Sequence, residues 1–513
     1  MNDGSLSPSQ SDLRDNSRPL DAHKWSEWPE VNQFIDEIYS SYFQKNEQTN
    51  IRKKHVKLLL LDLYVAWKEG WKYVGMSFDV NHYKPKSRYN GLNISKKVIE
   101  VAYRLEELDL IRIHSGFKNR DTGEGYVSRL ERTANLISRF MDARFPEGAI
   151  RCDWDREPVI LKDEEKNKSE YKDTPATRRM RVTLNNYNTL LRKTYVDCCH
   201  LKQPHINRKD GALIRIGQHN KFTTHIFNDG SWKKGGRFYG GFWQQIPSED
   251  RPFIHIDGDR TNEVDYSGLH IVLMYALIGK NYWTEVDNDG DPYQVKVDGL
   301  TKKEARYLGK NLLLMAINAG DEKSAFKALR GDISGDGLIP PNVKLTDNLL
   351  SDVLQQLKNK HPLIENKLCT GAGIDLQFID SQITEKLIEY FTSKQIPILC
   401  VHDSYVIPHW ATTLLRQKME EAFLDVTKLL DGITDPTEIW DRKAVGYVQD
   451  GYDDEALMNV DDELDDQERE NDPHMIAHKQ KLDELEKRIV PEYRQRYEQF
   501  QKDMAKLEAG SED

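Results

Sequence analysis

The chain has 513 residues, with 73 Lys and Arg against 84 Asp and Glu for a formal net charge of −11. That length leaves room for roughly two to four domains of ~100–200 residues and excludes a small stapled scaffold. The longest apolar run, starting at Leu58, is broken by Asp62 and falls short of the ~20 residues of a membrane span.

The N-terminus is polar and has no apolar stretch of the kind that directs export. Cys152, Cys198, Cys199, Cys369 and Cys400 are odd in number and lack CxxC spacing, which speaks against a disulfide framework and a four-thiolate zinc site. Together these predict a reducing, cytoplasmic setting. The acidity is local: residues 446–513 hold 9 Lys and Arg against 21 Asp and Glu, so residues 1–445 are balanced and can carry positive grooves.

Residues 1–24 are rich in Ser, Asp and Asn and are expected to be disordered. A first unit is predicted over 25–148. Val56, Leu59, Leu60, Leu63 and Ala66 recur at helical spacing, and Ser95 is placed to cap a second helix carrying Val98, Ile99, Ala102 and Leu105 on one side. A strand (110–113), a Gly/Asp/Asn turn (116–125), a second strand (126–130) and a helix from Thr133 follow. This is the order of a winged helix. Lys96 and Arg104, with Lys97, Lys118, Arg120, Arg129 and Arg132, could then reach DNA phosphates and bases; protein docking is the other use of such a unit.

Residues 149–234 read as a basic linker or thumb-like region. Arg178, Arg179, Arg181, Arg192 and Lys193 interleave with Tyr187, Leu190 and Leu191 on a helix that could track a phosphate backbone or present a solvated face.

Residues 235–445 carry the chemistry on an α+β pattern. Strands at 253–256 and 263–266 flank the Asp257-Gly258-Asp259 turn, and Asp265 stands where the second strand meets a helical run. Far along the chain the apolar stretch 396–401 runs into His402-Asp403-Ser404 and continues as 405–407. Either aspartate alone would be an ordinary turn residue. Two half-buried like charges need a cation, and all-oxygen ligands suit magnesium, so Asp265 and Asp403 are the candidate pair for two Mg2+ ions.

The ordered set Gly236-Arg237-Phe238-Tyr239, Gln244-Gln245-Ile246-Pro247, Asp265-Tyr266-Ser267, Arg306-Tyr307-Leu308-Gly309-Lys310 and Val401-His402-Asp403 resembles the palm and fingers of family A DNA polymerases and of single-subunit phage-type RNA polymerases. Asp291-Pro292-Tyr293 is also similar to the phage-type enzymes. The resemblance spans residues 235–410, about a third of the chain, and implies a right-hand polymerase palm/fingers.

It further implies that Asp265 and Asp403 are catalytic metal ligands, with the Tyr266 carbonyl as another ligand. Arg306 and Lys310 would bind the triphosphate. Arg237, Gln244, Gln245 and His402 would lie along the primer–template. Gln377, on the helix before the second aspartate, could reach the minor groove. The chain departs from the family in several places. Leu314 and Asn318 stand where the fingers helix usually carries aromatics, and His270 stands where DNA polymerases place a glutamate against the sugar 2′ position. Ser404 follows Asp403 as in the phage-type enzymes. His270 and Asn318 belong to the nucleotide side of the expected site.

No exonuclease carboxylate cluster is recognisable in residues 1–235. Residues 446–473 form an acidic linker expected to stay solvated, and 474–508 a helix with Ile476, Leu482, Leu485, Ile489, Tyr493 and Phe500 at helical spacing, suited to docking on the body or on a protein partner. The reading is a DNA-directed DNA polymerase without proofreading, acting on primer–template and nucleoside triphosphates away from any membrane. An RNA polymerase or primase of the single-subunit type and a non-catalytic DNA-binding replication protein are the alternatives.

Overall fold

The computed structural model describes residues 9–43, 49–118, 125–208, 211–266, 268–280, 282, 291–333, 337–428 and 483–510. Within them the chain is a mixed α+β protein with two large hydrophobic cores and a small third cluster beneath the C-terminal helix. No helix among the described residues is long and apolar enough to cross a membrane.

The first core is built by helices α1 (Pro29–Tyr42), α2 (Thr49–Lys68), α3 (Lys97–Glu107) and α4 (Ala134–Ala143). They pack with strands β1 (Ser17–Pro19), β2 (Tyr73–Met76), β3 (Ile111–His114) and β4 (Ser128–Arg132), laid out β1-β2-β4-β3. Leu58 to Leu61 and Leu63 are all wholly buried, so α2 is the central helix of this unit, enclosed on every side. Asp62 lies among them and needs a cation. Arg18 supplies it, Nη2 to Oδ1 at 2.6 Å. The expectation of disorder over 1–24 is thus corrected for residues 9–24, where β1 pairs with β2 and the Arg18 guanidinium neutralises a buried carboxylate 44 positions away. Residues 1–8 lie outside the described residues.

Two of the predicted DNA-facing arginines are turned inward. Arg129 Nε donates to Leu13 O and Ser17 Oγ, and Arg132 donates to Trp71 O. Arg120 is outside the described residues. Lys96 is exposed at the start of α3, while Arg104 is tied to Glu107 at 2.8 Å and to the Tyr42 carbonyl.

The second core holds β5 (Val159–Leu161), α5 (Pro175–Lys193), β6 (Val196–Cys198), β7 (Thr224–Phe227) and β8 (Gly235–Tyr239). Strands β9 (Ile254–Ile256) and β10 (Asp259–Asp265) follow, then helices α6 (Leu269–Ala276), α7 (Lys302–Asn318), α8 (Glu322–Ile333), α9 (Asp347–Lys360) and α10 (Gly373–Ser393). The hairpin β11 (Leu399–Val401) and β12 (Ser404–Pro408) leads into α11 (Thr412–Lys428). A five-stranded antiparallel sheet runs β11-β12-β10-β9-β6, and a three-stranded one runs β8-β7-β5.

The predicted linker 149–234 therefore supplies strands to both sheets. Its strands are only three or four residues long, too short for an alternating pattern to show. Of the five basic residues on α5, Arg181 pairs with Glu157 and Asp173, and Arg192 with Asp153. Arg178 and Arg179 remain exposed.

Left-handed backbone shapes both sheets. Asp257 and Gly258 both have positive φ, +50° and +90°, and close the β9–β10 hairpin as its two central residues. Gly236 has φ +78°, and a Cβ there would lie 2.5 Å from Ser381 Oγ, so only glycine lets β8 approach α10 this closely.

His225 on β7 lies between the Phe227 and Phe238 rings, centroids 4.4 and 4.2 Å away, and burial lowers its imidazole to about 3. The unfolded chain takes up this proton below its ordinary value of 6.5, whereas the fold refuses it until about 3. Stability is therefore full above pH 6.5 and is lost as pH falls through that window, on the order of 4 kcal/mol by its lower end. Denaturant titrations at neutral and acid pH should show a shallower fall for His225→Leu than for wild type; parallel curves would refute this assignment.

Candidate active site

The site starts from the seven residues of β10. Side chains alternate along a strand, so Val264 enters the core while Glu263 and Asp265 leave from the opposite face. Strand β12 is registered so that Asp265 pairs with Ser404, and Val401 pairs with Ser404 across the turn His402-Asp403. Two aspartates 138 positions apart are thereby set side by side, at a strand end and an adjoining hairpin tip. His402 carries the turn with φ +59°.

Asp265 is pushed up to about 8, first by burial, then by the charges of Asp403 and Glu263, with Lys310 and the Tyr266 backbone N–H pulling the other way. Solvent still reaches its side chain. A carboxyl crowded by protein and by two other acids yet open to water is one that a cation would relieve. Glu263 is already held, accepting from Ser404 Oγ at 2.6 Å and facing Arg251 Nε at 2.9 Å. The Tyr266 hydroxyl donates to Met419 O at 2.6 Å, anchoring the residue after Asp265. Ser267 lies outside the described residues.

Among the described residues no three His, Cys, Asp or Glu side chains converge into a ready-made metal cage. The two aspartates and the Tyr266 carbonyl are hard oxygen donors carrying uncompensated charge. That donor set fits a magnesium ion that keeps other ligands from water or phosphate.

Helix α7 brings the positive charge. It opens with a capping box, in which Glu304 N donates to Thr301 Oγ1 and Thr301 N to Glu304. Gly309 lets the helix lie on the 293 backbone, since a Cβ there would meet Tyr293 O at 2.1 Å. One turn apart, Arg306 and Lys310 differ in commitment. Arg306 Nε donates to Asp291 Oδ2 at 2.6 Å, and its guanidinium stands 5.4 Å from the Tyr293 ring centroid. Lys310 is exposed and forms no hydrogen bond or ion pair with any described residue, while its charge acts on Asp265. Tyr293 is buried between the two groups; burial raises its hydroxyl to about 12, Arg306 opposing and Asp403 and Asp265 adding to the rise.

On the other side of Asp403 sit Arg237, His270, His402 and Asp380. Arg237 Nε lies 3.4 Å from Asp380 Oδ2, and Nη2 lies 3.4 Å from His270 Nε2. Burial, with Arg237 adding, lowers His270 to about 4 and lowers His402 as well, while Asp403 opposes, so both rings are neutral at pH 7. Burial holds Asp380 up at about 7 against the pull of Arg237, with Asp403 pushing the same way as burial.

Other expected site residues are placed differently. Gln244 is spent on the backbone: its Nε2 donates to Phe238 O and Cys400 O, both at 3.0 Å, and its Oε1 accepts from Gly240 N. Gln245 beside it is exposed. Asn318 is eight residues beyond Lys310 on α7, ~12 Å along the helix axis, with Nδ2 donating to Leu314 O and Oδ1 against Gly373. That is the α7–α10 junction rather than the acid pair. Gln377 is half-buried, one turn before Asp380 and Ser381 on the same face of α10. Lys96 and Arg104 belong to the first core.

Asp380, Glu263 and Tyr293 join the site without having been assigned to it from the sequence. The spacing Glu263-x-Asp265 on a strand, which puts both on one face, was a usable signal for Glu263. No protein-family model matches the chain, and no curated protein matches it.

Proposed function

We propose that the chain is a template-directed nucleotidyltransferase, built as a family-A-like palm and fingers with a winged-helix-like N-terminal unit, and acting as a DNA-directed DNA polymerase. The observation that carries this reading is the meeting of Asp265 and Asp403 beside the uncommitted ammonium of Lys310.

Magnesium held by Asp265, Asp403 and the Tyr266 carbonyl would supply charge neutralisation at the reacting phosphate. The chain's own groups do the rest. Lys310 binds the triphosphate and offsets the charge that gathers on pyrophosphate as the primer 3′ oxygen bonds to the α-phosphorus and the α–β bridging bond breaks. Arg306 shares this task but must be drawn from Asp291. Arg237 holds a strand near its terminus, and the neutral rings of His402 and His270 feel both Arg237 and Asp403.

A second reading, an RNA polymerase or primase, is favoured by His270. The position five residues after Asp265 carries an imidazole held against Arg237, so no carboxylate from there crowds the sugar 2′ side. Primer extension with magnesium, offering dNTPs and NTPs separately, tests both readings. Extension with dNTPs is expected. Equal use of both sugars would retire the DNA preference. Duplex binding without extension by either would leave a non-catalytic DNA-binding protein.

Lys310→Met should lower single-turnover incorporation about 10²-fold, and Arg306→Met distinctly less, because Asp291 already competes for that guanidinium. Quench-flow at saturating primer–template measures both. Wild-type rates in Lys310→Met would remove α7 from the mechanism.

A further inference from the structure

We propose that Asp380 is a positioning residue that fixes the Arg237 guanidinium, against His270, in the attitude in which it meets a phosphate or sugar oxygen of a nucleic acid strand. The identity of that ligand rests on the function proposed above; the positioning itself does not.

Asp380 lies on the α10 face packed against β8 and is 1% exposed. Neither of its carboxylate oxygens receives a hydrogen bond of good geometry. A buried carboxylate is costly without a counter-charge, and neighbouring hydroxyls do not relieve it. Ser381 Oγ donates to Phe378 O, Tyr266 Oη donates to Met419 O, and Thr384 and Tyr405 share a hydrogen bond with each other. Among the described residues the cation within ion-pair distance is Arg237, at 3.4 Å, while Asp403 adds only like charge.

Arg237 is gripped at two points. Its Nε edge faces Asp380 and its Nη2 faces His270, so the remaining N–H groups point away from both, and the side chain keeps 20% of its surface open. A guanidinium offers five donors in a fixed plane, so fixing one edge aims the others. Gly236 makes this possible, because only a glycine lets β8 come close enough to α10 for a strand arginine to reach a helix aspartate.

The test has two readouts on the full-length protein. In ligand-free protein the His270 ring signal, identified by its loss in His270→Gln, reports by NMR where Arg237 sits. Arg237→Gln should shift it, Asp380→Asn should shift it likewise, and the double variant should shift it no further. Asp380→Asn is isosteric and removes a buried charge, so the fold is retained, as a melting curve would verify. Arg237→Lys, which keeps the charge but loses the fork, should also move the signal with Asp380 intact. In primer extension, Asp380→Asn should raise KM for primer–template about 10-fold with kcat little changed. An unmoved His270 signal in Asp380→Asn, beside a moved one in Arg237→Gln, would overturn the proposal, as would an unchanged KM. A wild-type protein that extends no primer would instead refute the polymerase reading, and the NMR signal alone would then decide the role of Asp380.

Discussion

Asp403→Asn should remove the proposed magnesium-dependent primer extension, with a loss of at least ~10³-fold in the single-turnover rate. Asp403 stands at the tip of the β11–β12 hairpin, and its side chain makes no hydrogen bond with a described residue, so the fold does not depend on its charge. Among the described residues Asp265 accepts from the backbone N–H next to it. Each isosteric change removes one oxygen donor and one of the like charges that crowd the site, so Asp265→Asn and Asp403→Asn should melt no lower than wild type while both lose the proposed activity. Magnesium should raise the wild-type melting temperature by mass action on the folded state and leave both variants unmoved. Extension gels and thermal melts in the same buffers separate the two effects. Substantial extension by either variant would sink the two-carboxylate mechanism.

What the sequence disclosed about this site was local, and what it hid was long-range. Asp265 is legible because it ends an alternating strand and precedes an apolar helix; Asp403 is legible because a charge interrupts an apolar hairpin. Arg306 and Lys310 share a face by helical spacing alone. Their convergence needed the β10–β12 register, which no local pattern prints. Asp380 reads from sequence as one polar residue among several on an amphipathic helix, and only the closeness of β8 at Gly236 gives it a partner. Gln244 shows the converse error. Its place beside a glycine-arginine strand suggested contact with nucleic acid, yet its amide ties β8 to β11. Likewise the composition of residues 9–24 argues for disorder, and one ion pair, Arg18 with Asp62, overrides it.

Arg496→Met should cost about 3 kcal/mol of stability. The C-terminal helix α12 (Pro491–Ala509) joins the two cores. Tyr493 and Phe500, with Leu485 and Ile489 ahead of them, seat on Tyr195, Cys199 and Phe253 behind the five-stranded sheet. Glu147 N donates to Asp503 at 2.8 Å, and Leu507 packs against the first core. Residues 429–482, including the acidic stretch, lie outside the described residues. The pin is Arg496, whose Nε donates at 2.8 Å to Asp197 Oδ2 on edge strand β6, while Nη1 and Nη2 donate to Lys202 O and Leu201 O. Asp197 is 2% exposed, and burial raises its carboxyl even with Arg496 in place. Without Arg496 it keeps, among the described residues, the Tyr195 hydroxyl and the Cys198 N–H. A carboxyl raised in the fold is stabilising below its unfolded value and loses that contribution as pH rises through its folded one. The deficit of Arg496→Met should therefore be larger at pH 8 than at pH 5. Asp197→Asn combined with Arg496→Met should recover most of it, since no charge is then left behind. Because β9 and β10 separate this edge from the hairpin that carries Asp403, incorporation per folded molecule should stay near wild type. Denaturant melts at the two pH values decide the matter, and an Arg496→Met protein as stable as wild type at pH 8 would show that α12 does not hold the cores together.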